Sequence, residues 1–335
     1  MLPTLVLDFS QGMPEYFPAA PLEEVMSQKA ASGAPFALAQ PPDGLWLVVP
    51  SVYVRHREDA VTIEVVLLGT GNPIPDRDRA GAATLVRAGG RTLLVDAGRG
   101  VCMRLAAAGV LPIMLDAVLL THLHSDHICD LNDVVTTHWV MSTTQTQLRV
   151  FGPVRTREVV AGMQAMLRPD VEYRIAHHAD LTWEPQTEVV EVAPGVVIDE
   201  RGVKVVAAAT DHRPVEPTLA YRVECDGRSV VLAGDTVPCA GLDELCRDAD
   251  VYVQTVLRDD LVRMVPMARF QDTISYHSTV VQAAQTAARG GVRTLVLTHQ
   301  VPTPGPGSAD EWVAAAREHF DGEIVFGEDL VSITA

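Results

Sequence analysis

Three histidines and one aspartate occur within six consecutive residues, His122-Leu123-His124-Ser125-Asp126-His127. The whole chain has only eleven histidines, so this is a strong local enrichment. Imidazole and carboxylate groups are costly to bury unless they bind something. Both groups are ligands for zinc, manganese or iron. The pattern therefore predicts a metal site, in preference to a polar surface turn that carries chance histidines.

The residues that precede this cluster explain how it would be positioned. Asp116–Thr121 is mostly apolar and predicts a buried strand. Side chains alternate along a strand, so His122 and His124 are expected to point to the same side. The chain then turns into a helix, from which Asp126 and His127 present ligands to a second position. The cluster is thus expected to serve two neighbouring metal ions.

This H-x-H-x-D-H element resembles the signature of the metallo-β-lactamase superfamily, and other segments are similar to that family in the same order. Leu67-Leu68-Gly69-Thr70-Gly71 looks like the first strand and loop of the ribonuclease Z and arylsulfatase branches. Leu93–Gly98 resembles the next family strand, in which Asp96 supports the ligands without binding metal. The resemblance extends from residue 61 to residue 334. It implies a four-layered αβ/βα sandwich, with two mixed sheets flanked by helices.

The resemblance also implies a complete set of metal ligands. Asp211-His212-Arg213-Pro214, Gly234-Asp235-Thr236 and Leu295–His299 resemble the third, fourth and fifth family motifs. The predicted ligands are His122, His124 and His212 on one metal, Asp126, His127 and His299 on the other, and Asp235 between the two. Nitrogen and oxygen ligands without thiolate favour zinc, with manganese or iron as alternatives. Two such cations lower the pKa of a bridging water toward neutrality, which supplies hydroxide at pH 7.

A further histidine is expected to act on the substrate. Tyr276-His277-Ser278-Thr279 resembles the His-Ser-Thr element of the ribonuclease Z branch, whose histidine assists phosphodiester cleavage. His277 is therefore predicted to protonate the leaving group or to contact the phosphate. Together with Asp126 and Asp235 it completes the predicted catalytic residues. The alternative is a histidine that only helps to cap a helix, with Ser278 or Thr279 as the actual cap.

Two features depart from the ribonuclease Z pattern. The interval between His212 and Asp235 has room for one hairpin, but not for the long arm that grips transfer RNA in that enzyme. Gln254 and Thr255 stand where the family often has a His-Glu pair, so the carboxylate that supports the catalytic histidine is missing. The formal net charge of −17 also repels polyanions at long range. Nucleic acid is therefore disfavoured as a partner.

The expected function is that of a dinuclear metal-dependent hydrolase acting on small phosphodiesters or sulfate esters, as arylsulfatase-like members do. Three alternatives stay open. They are a transfer-RNA 3′-end endonuclease, a hydrolase of lactones or other carbonyl esters, and a non-catalytic binding protein. The last is disfavoured because all seven ligand positions are filled. The resemblance also implies a homodimer.

Composition separates the beginning of the chain from the rest. Residues 1–60 are rich in proline and alanine and are predicted to be an N-terminal extension, with one strand at Leu45–Val54. The extension is expected to pack on the hydrolase domain, residues 61–335, or on a partner subunit. Five cysteines without a CxxC pair indicate free thiols in a reducing cytoplasm. No uncharged apolar stretch of about 20 residues occurs, so no membrane span is expected.

From residue 61 onward, short runs of β-branched residues alternate with helical stretches, which favours a layered α/β fold. The predicted strands are Val61–Leu68, Arg91–Val95, Ala117–Leu120, Leu148–Phe151, Val203–Ala208, Ala220–Cys225, Ser229–Ala233, Val251–Val256 and Thr294–Thr298. The predicted helices are Gly100–Ala108, Leu131–Val140, Thr156–Leu167, Thr279–Arg289 and Asp310–Phe320.

Overall fold

The computed structural model of the chain describes residues 63–335 and the backbone of three short strands before them. These strands are β1 (Glu15–Phe17), β2 (Phe36–Ala39) and β3 (Trp46–Pro50). β3 pairs antiparallel with both of the others, and it falls within the strand predicted for this region. By their internal contacts, residues 1–60 and 61–335 form two compact units. The predicted packing of the extension lies outside the described residues.

Two seven-stranded sheets form the centre of the second unit. The first sheet contains β4 (Glu64–Gly69), β5 (Ala83–Ala88), β6 (Arg91–Val95), β7 (Ala117–Leu119), β8 (Gln147–Gly152), β9 (Gln186–Glu191) and, at its edge beside β4, β17 (Ser332–Thr334). The second contains β10 (Gly195–Glu200), β11 (Val203–Ala209), β12 (Leu219–Cys225), β13 (Arg228–Leu232), β14 (Val251–Leu257), β15 (Thr294–Val301) and β16 (Glu323–Phe326). Strand pairing is antiparallel from β17 to β6 and from β10 to β13, and parallel from β6 to β9 and from β13 to β16. Both sheets are therefore mixed, as predicted.

Helices connect the parallel strands of the two sheets. They are α1 (Val101–Ala107), α2 (Ser125–Ile128), α3 (Leu131–Val140), α4 (Thr156–His177), α5 (Ala240–Leu245), α6 (Asp259–Arg263), α7 (Ala268–Gln271), α8 (Val280–Gly290) and α9 (Ala309–Arg317), with 3₁₀ turns at Pro112–Met114 and Asp272–Ser275. Across residues 63–335, none of these helices has both the length and the apolar character needed to cross a membrane.

The period-two pattern of the strands sorts their side chains into layers. Leu67 belongs to the apolar cluster between the two sheets, where it lies with Tyr221 and Val253 of the second sheet. Its neighbour Leu68 points the other way, into the cluster that includes Val134 of α3. Each fully buried side chain of this kind contributes about 1.5–3 kcal/mol to folding. On the opposite side, the outer face of the second sheet packs against α5, α8 and α9. The predicted four-layered sandwich is confirmed.

The parallel strands determine where a site can form. β6 and β7 run side by side, with Val95 opposite Leu119. β13 and β14 do the same, with Leu232 opposite Val253. Parallel neighbours end at the same edge of a sheet, so the segments that follow them lie together. Five of the seven predicted ligands follow β7 or β13, His299 lies near the end of β15, and His212 lies in the loop before β12.

Candidate metal centre

The structure brings all seven predicted ligands together, from four separate segments of the chain. They form two clusters, His122, His124, His212 and Asp235 in one, and Asp126, His127 and His299 in the other. Within each cluster the ligand atoms all lie within 4.8 Å of one another. Every member is buried except His124, which is half-buried. The sequence prediction therefore agrees with the geometry, and the metal contacts themselves stay a prediction.

Asp235 lies between the two clusters. Its Oδ2 atom is 3.8 Å from Nε2 of His122 and 3.9 Å from Nε2 of His212. The same oxygen is 3.4 Å from Nε2 of His127 and 3.9 Å from Nε2 of His299. One carboxylate oxygen is thus within reach of histidines from both clusters, which is the position that a bridging ligand needs.

Asp96 orients the imidazole rings of two predicted ligands, His127 directly and His122 through Thr121. Nδ1 of His127 donates a hydrogen bond to Oδ2 of Asp96 at 2.8 Å. The hydroxyl of Thr121 donates to the same oxygen at 2.8 Å and accepts from Nδ1 of His122 at 3.0 Å. Both rings therefore carry their proton on Nδ1, which leaves the Nε2 lone pair directed toward the centre. Outer partners of this kind orient metal-binding histidines in known sites.

The inner nitrogens of the first cluster face one another. Nδ1 of His212 donates to the carbonyl oxygen of Tyr276 at 2.7 Å, so Nε2 of His212 also presents a lone pair. Nδ1 of His124 lies 3.1 Å from Nε2 of His122 and 3.3 Å from Nε2 of His212. In the second cluster, Nε2 of His127 is buried and has no hydrogen-bond partner among the residues described. Converging lone pairs and an unpartnered buried nitrogen fit a pair of divalent cations.

The ionisation of His122, His212 and Asp126 agrees with this fit. At His127 and His299, burial is outweighed by the charge of Asp235 and by hydrogen bonds to carboxylates, and the pKa is raised. Burial lowers the pKa of His212 to about 4, although the charge of Asp235 opposes the change. Burial also lowers the pKa of His122 well below its usual value. For Asp126 burial acts in the opposite direction, but the hydrogen bond from His299 and the charge of His127 lower its pKa to about 2. Neutral imidazole and ionised carboxylate are the forms that bind metal.

Two residues at the centre have strained backbone conformations. Asp96 has φ 61° and His299 has φ 46°, both in the left-handed region that non-glycine residues rarely adopt. Such strain persists only where surrounding structure enforces it, and it concentrates at functional sites. Here it occurs in one ligand and in the carboxylate that orients other ligands.

His277 lies beside the two clusters and is buried. Its Nε2 is 3.2 Å from Oδ2 of Asp235, and its Nδ1 donates to the carbonyl oxygen of Thr273 at 3.0 Å. The helix cap is Thr279, whose hydroxyl accepts from the backbone N–H of Gln282 at 3.1 Å. Thr279 is thus the actual cap, as the alternative expected, whereas the ring nitrogens of His277 contact Asp235 and Thr273 and not the helix. A catalytic role for this residue stays a prediction that the geometry supports.

Three contacts of the site had no counterpart in the sequence analysis. Two are backbone carbonyls, of Thr273 and Tyr276, which orient His277 and His212. Residue types carry no signal for such carbonyls. The third is the hydroxyl of Thr255, which donates to Oδ1 of Asp235 at 2.8 Å. In the sequence analysis Thr255 was noted only because the family often has a glutamate at this position. The parallel pairing of β14 with β13 could have placed it beside Asp235.

Gly98 allows the loops of the site to pack closely, and this leads to a first prediction. A Cβ atom on Gly98 would lie 2.3 Å from the carbonyl oxygen of Asp126 and 2.6 Å from the backbone nitrogen of Ala82. Gly98→Ala is therefore expected to displace the segment that carries two ligands of the second cluster. The free energy of unfolding should fall by about 1–3 kcal/mol, measured by denaturant titration, and less metal should remain bound after gel filtration.

Gly162 offers a matched control for this substitution. It lies within α4, and a Cβ atom there would have no neighbour within 4 Å. Gly162→Ala should leave metal content unchanged and should raise stability slightly, because alanine is preferred over glycine inside helices. Equal stability and equal metal content in the two variants would show that the close approach at Gly98 is unimportant.

Comparison with known proteins agrees with the fold. A family profile described as Beta-lactamase superfamily domain matches residues 91–300, the range that contains all seven predicted ligands and His277. A Ribonuclease Z of Mycolicibacterium paratuberculosis is 55% identical over 270 residues, which cover 80% of this chain and 96% of that relative. A Ribonuclease Z of Mycobacterium bovis is 54% identical with the same coverage of both chains.

Solved structures give the same fold. The metallo-beta-lactamase fold protein YhfI from Bacillus subtilis matches with a TM-score of 0.65 and 22% identity, over 82% of this chain and 100% of that chain. The short form of human tRNase Z matches with a TM-score of 0.61 and 22% identity, over 81% of this chain and 98% of that chain. The fold implies a dinuclear site for divalent metals. The chain belongs to the metallo-β-lactamase superfamily of metal-dependent hydrolases, in the branch that contains the ribonuclease Z proteins.

Proposed function

We propose that this chain is an endoribonuclease of the ribonuclease Z type, which hydrolyses a phosphodiester bond at the 3′ end of precursor transfer RNA. The observation that carries the proposal is the 55% identity to a Ribonuclease Z over 96% of that relative's length. The proposal reverses the order expected from the sequence, in which small phosphodiesters and sulfate esters stood ahead of RNA. Both hypotheses describe a metal-dependent hydrolase, and they differ in the substrate.

The missing arm and the net charge do not exclude the RNA hypothesis. The match occupies 270 residues and 96% of the relative, which leaves little of the relative for an arm that this chain lacks between His212 and Asp235. The net charge of −17 is a sum over the whole molecule. It opposes RNA binding at long range but does not give the field at the mouth of one site.

The site contains the groups that hydrolysis of a phosphodiester requires. A pair of divalent cations held by the seven predicted ligands would supply a nucleophilic water at neutral pH and would neutralise charge on the phosphoryl oxygens. His277 contributes the proton: its Nδ1 is held by the carbonyl of Thr273, so Nε2 is the atom that takes up or releases a proton. Nε2 faces the centre at 3.2 Å from Asp235, where it can protonate the departing ribose oxygen.

A second candidate function is the hydrolysis of small phosphodiesters. The hairpin of β12 and β13 fills the interval between His212 and Asp235, so no RNA-gripping arm extends from that place. Thr255 also stands at the position where the family often has a glutamate that supports the catalytic histidine, and its hydroxyl contacts Asp235 instead. Both observations favour a substrate that is held mainly by the centre itself.

The two functions are tested by assaying one metal-loaded preparation on several substrates in parallel. These are a precursor transfer RNA with a 3′ trailer, the same RNA without the trailer, bis-p-nitrophenyl phosphate, p-nitrophenyl sulfate and a lactone. The proposed function predicts a single cut that releases the trailer, with kcat/KM above that for each small ester. Asp235→Ala, purified in the same way, measures contaminating nuclease. Hydrolysis of bis-p-nitrophenyl phosphate with intact precursor RNA would overturn the proposal in favour of the second candidate.

A further inference from the structure

Thr255 is placed at the bridging carboxylate by the pairing of two strands. β13 and β14 run parallel, with Leu232 opposite Val253, and the backbone nitrogen of Ala233 donates to the carbonyl oxygen of Val253 at 3.0 Å. The next residues of the two chains therefore continue side by side past the end of β13. This places Thr255, which is 3% exposed, beside Asp235.

The two oxygens of Asp235 have different surroundings. Oδ1 accepts the hydrogen bond from the Thr255 hydroxyl at 2.8 Å. Oδ2 is the oxygen that faces the histidines of both clusters, with His127 at 3.4 Å, and it also lies 3.2 Å from Nε2 of His277. A carboxylate turned about its Cβ–Cγ bond would exchange these positions or place neither oxygen between the clusters. The hydroxyl therefore selects the rotation that directs one oxygen to both clusters.

The loop that carries Asp235 is held by the same strand. The amide of Gln254 donates to the carbonyl oxygen of Gly234 at 3.3 Å and to that of Thr255 at 2.8 Å. Gly234 has φ 64°, and a Cβ there would lie 2.7 Å from Cβ of Thr121. The backbone is thus fixed at Gly234, and on the other side of Asp235 the hydroxyl of Ser278 donates to the carbonyl oxygen of Thr236. Side-chain rotation is the freedom that Thr255 restricts.

We propose that Thr255 is a positioning residue of the metal centre, whose hydroxyl holds Asp235 with Oδ2 between the two clusters and thereby sets the affinity for the metal pair. Nδ1 of His277 is held by the carbonyl of Thr273 and not by Thr255. The residue that replaces the expected glutamate thus acts on the bridging ligand instead of on the catalytic histidine. The proposal depends on the dinuclear centre and on no particular substrate. A failure to cleave RNA would therefore not contradict it.

Thr255→Val and Thr255→Ser test the proposal, since valine keeps the shape of threonine without the hydroxyl and serine keeps the hydroxyl. Metal-free full-length protein is titrated with Mn²⁺, and free Mn²⁺ is followed by its EPR signal. Thr255→Val should bind Mn²⁺ about 10–100-fold more weakly at one or both positions, as loss of an outer partner does in other metal sites. Thr255→Ser should stay close to the unchanged protein.

Thr294→Val separates positioning from a general loss of stability. Thr294 begins β15, and its hydroxyl donates to Oε2 of Glu323 at 3.1 Å, far along the strand from His299. Thermal unfolding of each metal-free variant measures stability without the centre. A Thr255→Val protein with the Mn²⁺ affinity of Thr294→Val would overturn the proposal. If Thr255→Val fails to fold, Thr255→Ala takes its place, and wild-type affinity in that variant would overturn the proposal equally.

Discussion

Asp235→Ala is expected to abolish both metal binding and hydrolysis. Asp235 is the carboxylate that both clusters share, with Oδ2 within 3.9 Å of His212 in one and His299 in the other. Without it the first cluster keeps only neutral imidazoles, and nothing joins the two positions. The loss of turnover should exceed the roughly 10²–10³-fold that follows removal of one electrostatic contact in an active site. Asp235→Asn should behave similarly, because it keeps the shape and removes the charge.

Elemental analysis after gel filtration and initial rates on bis-p-nitrophenyl phosphate measure the two effects. Asp199→Ala is the control, since Asp199 is an exposed carboxylate on β10. It should match the unchanged protein in both assays. Circular dichroism shows whether Asp235→Ala keeps its fold. A folded Asp235→Ala protein that retains two metals would refute the bridging role, and retained turnover would refute the whole assignment of the centre.

The sequence predicted most of this site because the ligands follow apolar strands in a fixed order. Where a strand or helix is bounded by clear signals, the prediction agrees with the structure residue for residue, as in β6 (Arg91–Val95) and α3 (Leu131–Val140). Most of the predicted ligands lie shortly after such an element, and His299 lies near the end of β15. Their convergence therefore followed once the order of the motifs was recognised.

Elements that depend on distant partners were missed. β17 pairs with β4, with Ser332 opposite Val66, and three residues give no local pattern from which to predict such pairing. α4 was expected to end at Leu167, before Pro169, but it continues to His177. Val171, in the extra turns, is buried against Trp139, so packing outweighs the unfavourable proline. Neither the pairing of β17 with β4 nor the packing of Val171 against Trp139 can be predicted from the local periodicity of the sequence.

His277→Ala is expected to keep both metals and to slow hydrolysis selectively. His277 is not a predicted metal ligand, and its Nε2 faces the centre at 3.2 Å from Asp235. A poor leaving group, such as a ribose oxygen, needs a proton as its bond breaks, and loss of a general acid costs about 10²–10⁴-fold. The p-nitrophenolate group leaves without protonation, so bis-p-nitrophenyl phosphate should be hydrolysed at nearly the original rate.

The measurement that isolates this role is the ratio of kcat for the two classes of leaving group. His277→Ala should change that ratio strongly, whereas His178→Ala, at an exposed position after α4, should leave it unchanged. Metal content is determined on the same samples, because loss of metal would slow both substrates together. A uniform loss with full metal occupancy would indicate that His277 contacts the phosphate and does not protonate the leaving group. Full activity on both classes would remove His277 from the mechanism, and the proton would then have to come from solvent.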